Sequence, residues 1–303
     1  MKGSKTMHAF LDKYSVAMTA LLLKDRWFTS SVETPGFQQQ LEDIKVVLPA
    51  FEKEGFYETE THSTAGKLDP AFQVAKWIGP QYPTIIYHHG NNENPFHYGL
   101  AGKNTFKSVL YAGRDKIDAN LISLRAAFHN DGMKKYMEKM SRLENFTAML
   151  SASVKLIEAL TAHLKSSGCK RVIVTGISLG GWVANLHRSF YNSANVYIPI
   201  FAGAALGELF ISSYYKRLAG EAARKNPNAI RKALNFTREF GFVKDSNVFP
   251  LLARFDQFIE YDVQKQCYDE KTITVIDKGH INGALASTEL RTHILASLAD
   301  AQE

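Results

Sequence analysis

Cysteine is scarce in this chain of 303 residues: there are two, Cys169 and Cys267, with no CxxC pair and no metal-ligand spacing. That argues against a disulfide-stapled secreted scaffold and leaves two inert thiols as the reading. Long apolar runs are also missing. The stretch SVAMTALLL (residues 15–23) falls far short of the roughly 20 apolar residues of a membrane span. Behind Lys2, Lys5 and Lys13 it loosely resembles the apolar region of a signal peptide. However, Asp12 interrupts the approach, Lys24-Asp25-Arg26 follows at once, and no A-x-A-like cleavage site is present. The expectation is an amphipathic helix packed on the body of a cytoplasmic protein. Export through this stretch, and peripheral membrane contact through Trp27 and Phe28, are the alternatives.

Dense charge is absent as well. The net charge is +6 and the pI about 9.1, but the basic residues are spread along the chain. Attraction to anions is permitted rather than implied. No basic-aromatic patch or nucleic-acid motif appears, so no nucleic-acid partner is expected. There are no internal repeats and no low-complexity segment. A hydrophobic content of 45% with 22% charged residues is that of an ordinary globular protein with a sizeable core. Nothing in the chain fixes an oligomeric state.

The pattern along the chain reads as helices first, then alternating strands and helices. Phe37, Leu41, Ile44, Leu48 and Phe51 fall near helical spacing. YETETHST (57–64) and FQVAKWIG (72–79) read as an antiparallel pair. TIIYHH (84–89), NLISLRAAF (120–128), RVIVTG (171–176), VYIPIFAG (196–203), VFPLLARF (248–255) and TITVI (272–276) are the later strand candidates. Between them lie amphipathic stretches, including Leu143, Phe146, Leu150, Val154, Ile157 and Leu164 on one face. A last helix carries Leu290, Ile294 and Leu298. Apolar strands alternating with helices predict a parallel sheet covered on both faces. Residues 205–247 break the rhythm: they read as helical, rich in Lys and Arg, and inserted between two strands over one end of the sheet.

Gly176-Ile177-Ser178-Leu179-Gly180 matches G-x-S-x-G between a strand and a helix. A serine on so sharp a turn needs small neighbours two positions either side, and the turn lifts Oγ clear of the sheet at a helix N-terminus. There the backbone N–H of Leu179 can face a developing oxyanion. A glycine-rich packing turn is the bland alternative; a phosphate loop fits neither nucleotide pattern. Of ten histidines, His280 follows the last strand at its carboxyl end, where ligand-side groups of open α/β sheets sit. His129 also ends a strand but precedes the serine, and His163 and His187 fall in helices. Asp256 directly follows a strand and can orient the base; Glu260, Asp262 and Asp277 compete with it. His89-Gly90-Asn91 ends an early strand, with Gly90 allowing close approach and Asn91 the second oxyanion donor. The same loop offers His88, His89, Glu93 and His97 as potential metal ligands, in no defensible spacing.

Taken together, these residues resemble the α/β-hydrolase superfamily. The resemblance rests on His89-Gly90 after a strand, the G-x-S-x-G turn, an acid after a later strand and Gly279-His280 after the last, in the order Ser178, Asp256, His280. It covers the chain from about Tyr57 onward. It implies a single domain over residues 1–303, with a mostly parallel sheet of about eight strands and residues 205–247 as a helical cap between the sixth and seventh. Residues 1–55 form an N-terminal helical extension outside the shared core. It further implies acyl transfer through a Ser178–His280–Asp256 triad, with an oxyanion held by Leu179 and Asn91, on a small-molecule acyl substrate and with no cofactor or metal. The segment Phe128-His129-Asn130-Asp131-Gly132 matches the family's glycine-rich loop only loosely. An ester or thioester is the first expectation. A peptidase, an acyltransferase or a non-catalytic binding module on the same fold are the alternatives.

Overall fold

A computed structural model describes residues 2–22, 26–63, 66–99, 102–130 and 132–299. Among the described residues ten strands are formed in chain order: β1 (Lys45–Val47), β2 (Gly55–Glu58), β3 (Glu60–His62), β4 (Ala71–Lys76), β5 (Thr84–His88), β6 (Asn120–Arg125), β7 (Val172–Ile177), β8 (Val196–Ile200), β9 (Leu251–Ala253) and β10 (Thr274–Ile276). Eight of them make one sheet, ordered β10-β9-β8-β7-β5-β6-β4-β2, while β1 and β3 pair separately. From β6 to β10 the neighbours are parallel. The β2 and β4 strands run antiparallel at one edge. The expected mostly parallel eight-stranded sheet is therefore present.

Alternation along the central strands explains its two-sided burial. Ile86, Val172 and Val174 face one core with Leu150, Val154 and Ile157 of the helix Leu143–Ser166. Their neighbours Ile85, Tyr87 and Ile173 point to the other face, against Phe106, Val109, Leu290 and Ile294. With both faces covered by helices, β5 and β7 are buried at every position, as a parallel sheet requires.

Several expectations shift locally. The helix beginning at Phe37 stops at Asp43, so Leu48 and Phe51 lie outside it. Residues 45–47 instead pair with β3, because β-branched Val46 and Val47 fit a ladder better than a helix turn. The reading of residues 57–64 as one strand divides at Thr59, whose Oγ1 donates to Pro70 O at 2.6 Å; β2 joins the main sheet and β3 the small one. Thr64, Leu23, Lys24, Asp25 and Asp131 lie outside the described residues.

Trp27 and Phe28 are not a surface for membrane contact: they are 3% and 0% exposed. Phe28 meets Phe210 edge-on at 4.8 Å and lies tilted against Phe146 at 5.5 Å. Backbone bonds between Trp27 and Leu218 and between Gly220 and Trp27 stitch this segment to the insertion. No described helix is long and apolar enough to cross a membrane. Between β8 and β9, the sixth and seventh strands of the main sheet, five short helices occupy Glu208–Ile211, Tyr214–Leu218, Glu221–Lys225, Pro227–Leu234 and Thr237–Phe242.

Candidate active site

The turn after β7 carries the first functional side chain. Ser178 has φ 53° and ψ −107°, a left-handed conformation that costs a non-glycine residue roughly 1–3 kcal/mol and survives only where its surroundings enforce it. They do so here. The Ser178 N–H donates to Ile200 O at 2.8 Å, and Ser178 O accepts from Trp182 N–H at 3.0 Å. The flanking glycines are steric necessities: a Cβ at Gly176 would lie 2.7 Å from His88 O, and one at Gly180 only 2.1 Å from it. The serine therefore stands on a tight strand-to-helix elbow. Its side chain makes no capping bond to the helix Leu179–Phe190 that it precedes, and it is only half-buried. Leu179 is the first residue of that helix, so its N–H has no intrahelical acceptor.

Two strands further along the sheet, β9 delivers Asp256 and β10 delivers His280. The His280 Nδ1 donates to Asp256 Oδ2 at 2.7 Å. The other oxygen of Asp256 accepts from the N–H groups of Phe258 and Ile259, both at 2.8 Å. Fixed in this way, the 4%-exposed carboxylate cannot rotate away from the imidazole. Burial disfavours a charged His280, but the Asp256 charge and hydrogen bond outweigh it, with Asp12 adding to them, and its pKa is raised above 6.5. The competing acids are engaged elsewhere: Asp277 pairs with Arg254 at 2.6 Å and Asp262 with Lys265 at 2.6 Å.

Ser178 reaches this pair through β8. Its N–H bonds to Ile200, and the next residue, Phe201, sets its ring 5.9 Å from that of His280. Phe258 covers the imidazole from another side at 4.7 Å. Among the described residues Ser178 Oγ makes no hydrogen bond, to His280 or otherwise; in unliganded sites such bonds often tighten only with substrate.

The loop after β5 is held by its histidines rather than offering them to a metal. The Ala126 N–H donates to His89 Nε2 at 3.0 Å, which places the ring proton on Nδ1, where it donates to Gly90 O at 2.6 Å. His88 Nδ1 donates to His89 O, which leaves Nε2 to accept from Ser153 Oγ, both at 3.0 Å. Burial keeps both rings neutral, pushing His88 down to about 4 and His89 well below its ordinary value. Glu93 accepts from Gly90 N–H at 3.2 Å and from Thr105 N–H at 2.7 Å. Among the described residues, no group of three or more His, Cys, Asp or Glu side chains is arranged for a metal ion. Asn91, next in the loop, turns its side chain away to accept from Tyr136 Oη at 2.6 Å. That leaves its backbone N–H as the group to consider for an oxyanion. His129, the other strand-end histidine, is half-buried against His89 and Tyr136, and desolvation of its ring pushes its pKa down to about 3.

Sequence reasoning missed two carboxylates, Glu93 as the staple of this loop and Asp12 beside His280. Neither belongs to a local motif, and only their backbone partners, distant in sequence for Asp12, reveal them.

No protein-family model matches the chain, and no curated protein matches it. Solved structures do. Acetyl xylan esterase 1 from Thermoanaerobacterium sp. JW/SL YS485 superposes with a TM-score of 0.53 at 13% identity, over 88% of this chain and 96% of that one. Est1E from Butyrivibrio proteoclasticus gives 0.51 at 13% identity, over 84% and 99%. The acylaminoacyl peptidase of Pyrococcus horikoshii gives 0.51 at 15% identity; 86% of this chain spans 42% of that larger one. At such identities the likeness concerns the fold. With its strand order, its serine elbow and these structural neighbours, the chain has the α/β-hydrolase fold.

Proposed function

We propose that the protein is a serine hydrolase that cleaves a carboxylic ester or thioester through Ser178, His280 and Asp256. The observation that carries this reading is the His280–Asp256 hydrogen bond of 2.7 Å, together with a strained, half-exposed serine on the turn after β7 of the same sheet. His280 Nε2 takes the Ser178 proton as Oγ attacks the substrate carbonyl carbon, and Asp256 steadies the imidazolium. The N–H groups of Leu179 and Asn91 hold the oxyanion. Collapse of the tetrahedral intermediate expels the alcohol or thiol, which takes the proton from His280. Water, deprotonated by the same histidine, then attacks the acyl-enzyme and releases the acid. No metal or cofactor enters any of these steps.

The acetyl xylan esterase among the structural neighbours supports ester chemistry. A peptidase neighbour on the same fold makes amide cleavage the second reading. Within one domain of 303 residues, the helices of residues 205–247 act as the cap. Phe210 and Phe236 serve its core, being 4% and 1% exposed, so the acyl-binding surface falls to other residues of the insertion.

Labelling with a fluorophosphonate probe tests the reading, with native protein and Ser178→Ala compared side by side. Labelling of the native protein alone is expected. Equal labelling of both would remove Ser178 as nucleophile, and a folded native protein that takes no label would overturn the enzymatic reading. Release rates from matched ester and anilide substrates then separate esterase from peptidase.

A further inference from the structure

The helix Lys2–Leu22 lies outside the sheet, yet it sends one carboxylate into the middle of the candidate site. Asp12 is 0% exposed. Its Oδ2 accepts from the N–H of His280 at 2.8 Å and of Gln257 at 3.1 Å, and its Oδ1 from Ile281 N–H at 3.0 Å. One donor follows Asp256 directly; the other two belong to the segment that begins with His280. A single side chain therefore ties together the two loops that carry the acid and the base. Gly279 leaves room for it, since a Cβ there would stand 2.8 Å from Asp12 Oδ2.

We propose that Asp12 is a positioning residue of the acid–base pair, locking the Asp256 and His280 loops to each other and supplying a second negative charge to the imidazolium. The proposal rests on the triad reading above. The ionisable groups facing His280 are Asp256, from the loop after β9, and Asp12, from the N-terminal helix. The rings of Phe201 and Phe258 also pack against the imidazole. On the same helix, His8 bonds Asn282 and stacks on Phe255. Further along the Asp256 loop, Glu260 feels the Asp256 charge. Burial first, then repulsion from Asp256, raises the Asp12 pKa above its ordinary 3.8, while the Ile281 and His280 N–H groups and the His280 charge act the other way and favour the carboxylate.

Asp12→Asn is expected to lower kcat by roughly 10–100-fold, the scale of a small misplacement of catalytic groups, with KM little changed. It should also move the acid limb of kcat/KM to lower pH, because a negative charge beside the imidazole has gone. A purely structural role would lower kcat without moving that limb. Gly279→Ala, which crowds Asp12 from the other side, should lower kcat in the same way, and it stands in if Asp12→Asn fails to fold. Unchanged kcat in a folded variant, or an Asp12→Asn acid limb superimposable on the native one, overturns the proposal. Failure of the triad reading shows separately, as fluorophosphonate labelling that survives Ser178→Ala.

The outer face of the same helix carries an independent observation. Met7, Phe10, Tyr14, Met18 and Leu21 are 62%, 61%, 55%, 39% and 79% exposed. At helical spacing they fall in an arc of about 80° that contains no charge. One flank of this stripe holds Lys13 and Ala20. Ala20 borders a depression of about 660 Å³ whose rim includes Arg26, Lys216, Arg217 and Arg224, and none of these cations is in an ion pair among the described residues. We infer that this face docks on an anionic lipid surface, the apolar stripe entering the headgroup boundary and the basic rim meeting the phosphates.

Flotation with vesicles of phosphatidylcholine alone, and of phosphatidylcholine mixed with phosphatidylserine, tests it. Binding to the mixed vesicles is expected, weakened by salt and abolished by Phe10→Glu with Leu21→Glu. No binding to the mixed vesicles overturns the inference. So does a dimer in solution that Phe10→Glu dissociates, which would assign the stripe to a second copy.

Discussion

Replacing Gly180 with alanine tests the elbow at its tightest point. The new Cβ would lie 2.1 Å from His88 O and 2.7 Å from His88 C, distances no real Cβ contact reaches. Overpacking in a core typically costs about 1–3 kcal/mol when side chains can yield. Here the obstacle is backbone. His88 is registered against Leu124 of β6 on one side and Gly176 of β7 on the other, so it cannot retreat without breaking two ladders. The cost should therefore reach about 3 kcal/mol or more, a fall in Tm of about 6–12 °C. Gly36→Ala is the matched control, because nothing stands within 4 Å of a Cβ there. Thermal melts of both variants, with probe labelling of each folded sample, give the result. A Gly180→Ala protein that melts within about 2 °C of the control and labels normally would refute the steric account of the elbow and the register on which it depends.

Other outcomes follow from the same geometry. Ser178→Gly should be more stable than Ser178→Ala by about 1 kcal/mol in urea unfolding, because glycine tolerates φ 53°; equal stabilities would mean that the turn is not strained. Asp256→Asn keeps an acceptor for Phe258 and Ile259 but presents an amide to His280, so turnover should fall by roughly 10⁴ with the fold intact. Because the folded-state pKa of His280 is raised above 6.5, the pair's stabilisation is complete below that pH and fades as pH rises through the raised value. The destabilisation by Asp256→Asn should accordingly be greater at pH 5.5 than at pH 9, and the reverse order would contradict the assignment. His88, held down at about 4, acts in the opposite sense. The unfolded chain takes up that proton first, so stability is lost between pH 6.5 and pH 4, by about 3 kcal/mol from this residue. His88→Gln should flatten that slope in urea titrations, and an unaltered slope would assign the acid sensitivity elsewhere.

Much of the frame was legible because it is written locally. Strands buried on both faces read as apolar runs, and the elbow needs its glycines at fixed offsets from Ser178. Asp256 and His280 each lie within four residues of a strand's carboxyl end, so chain order placed them at the same edge of the sheet. Illegible were features decided by partners far away in sequence. The residues after Asp43 have a helical spacing, but β3 claims them. Trp27 and Phe28 look like a surface pair until the insertion closes over them. Asp12 belongs to no motif, and nothing near it in the helix Lys2–Leu22 marks it for burial. Its burial follows from N–H groups 245 to 269 residues further along.

That separation has a consequence for how the protein matures. Closing so long a loop is an entropic cost that local structure cannot offset, and a chain made from its N-terminus has the helix Lys2–Leu22 long before its docking partners exist. Until β9 and β10 add to the sheet edge, Asp12 lacks its three N–H donors. The tie between the Asp256 and His280 loops can therefore form only after β9 and β10 have been made, because all three of its donors follow those strands.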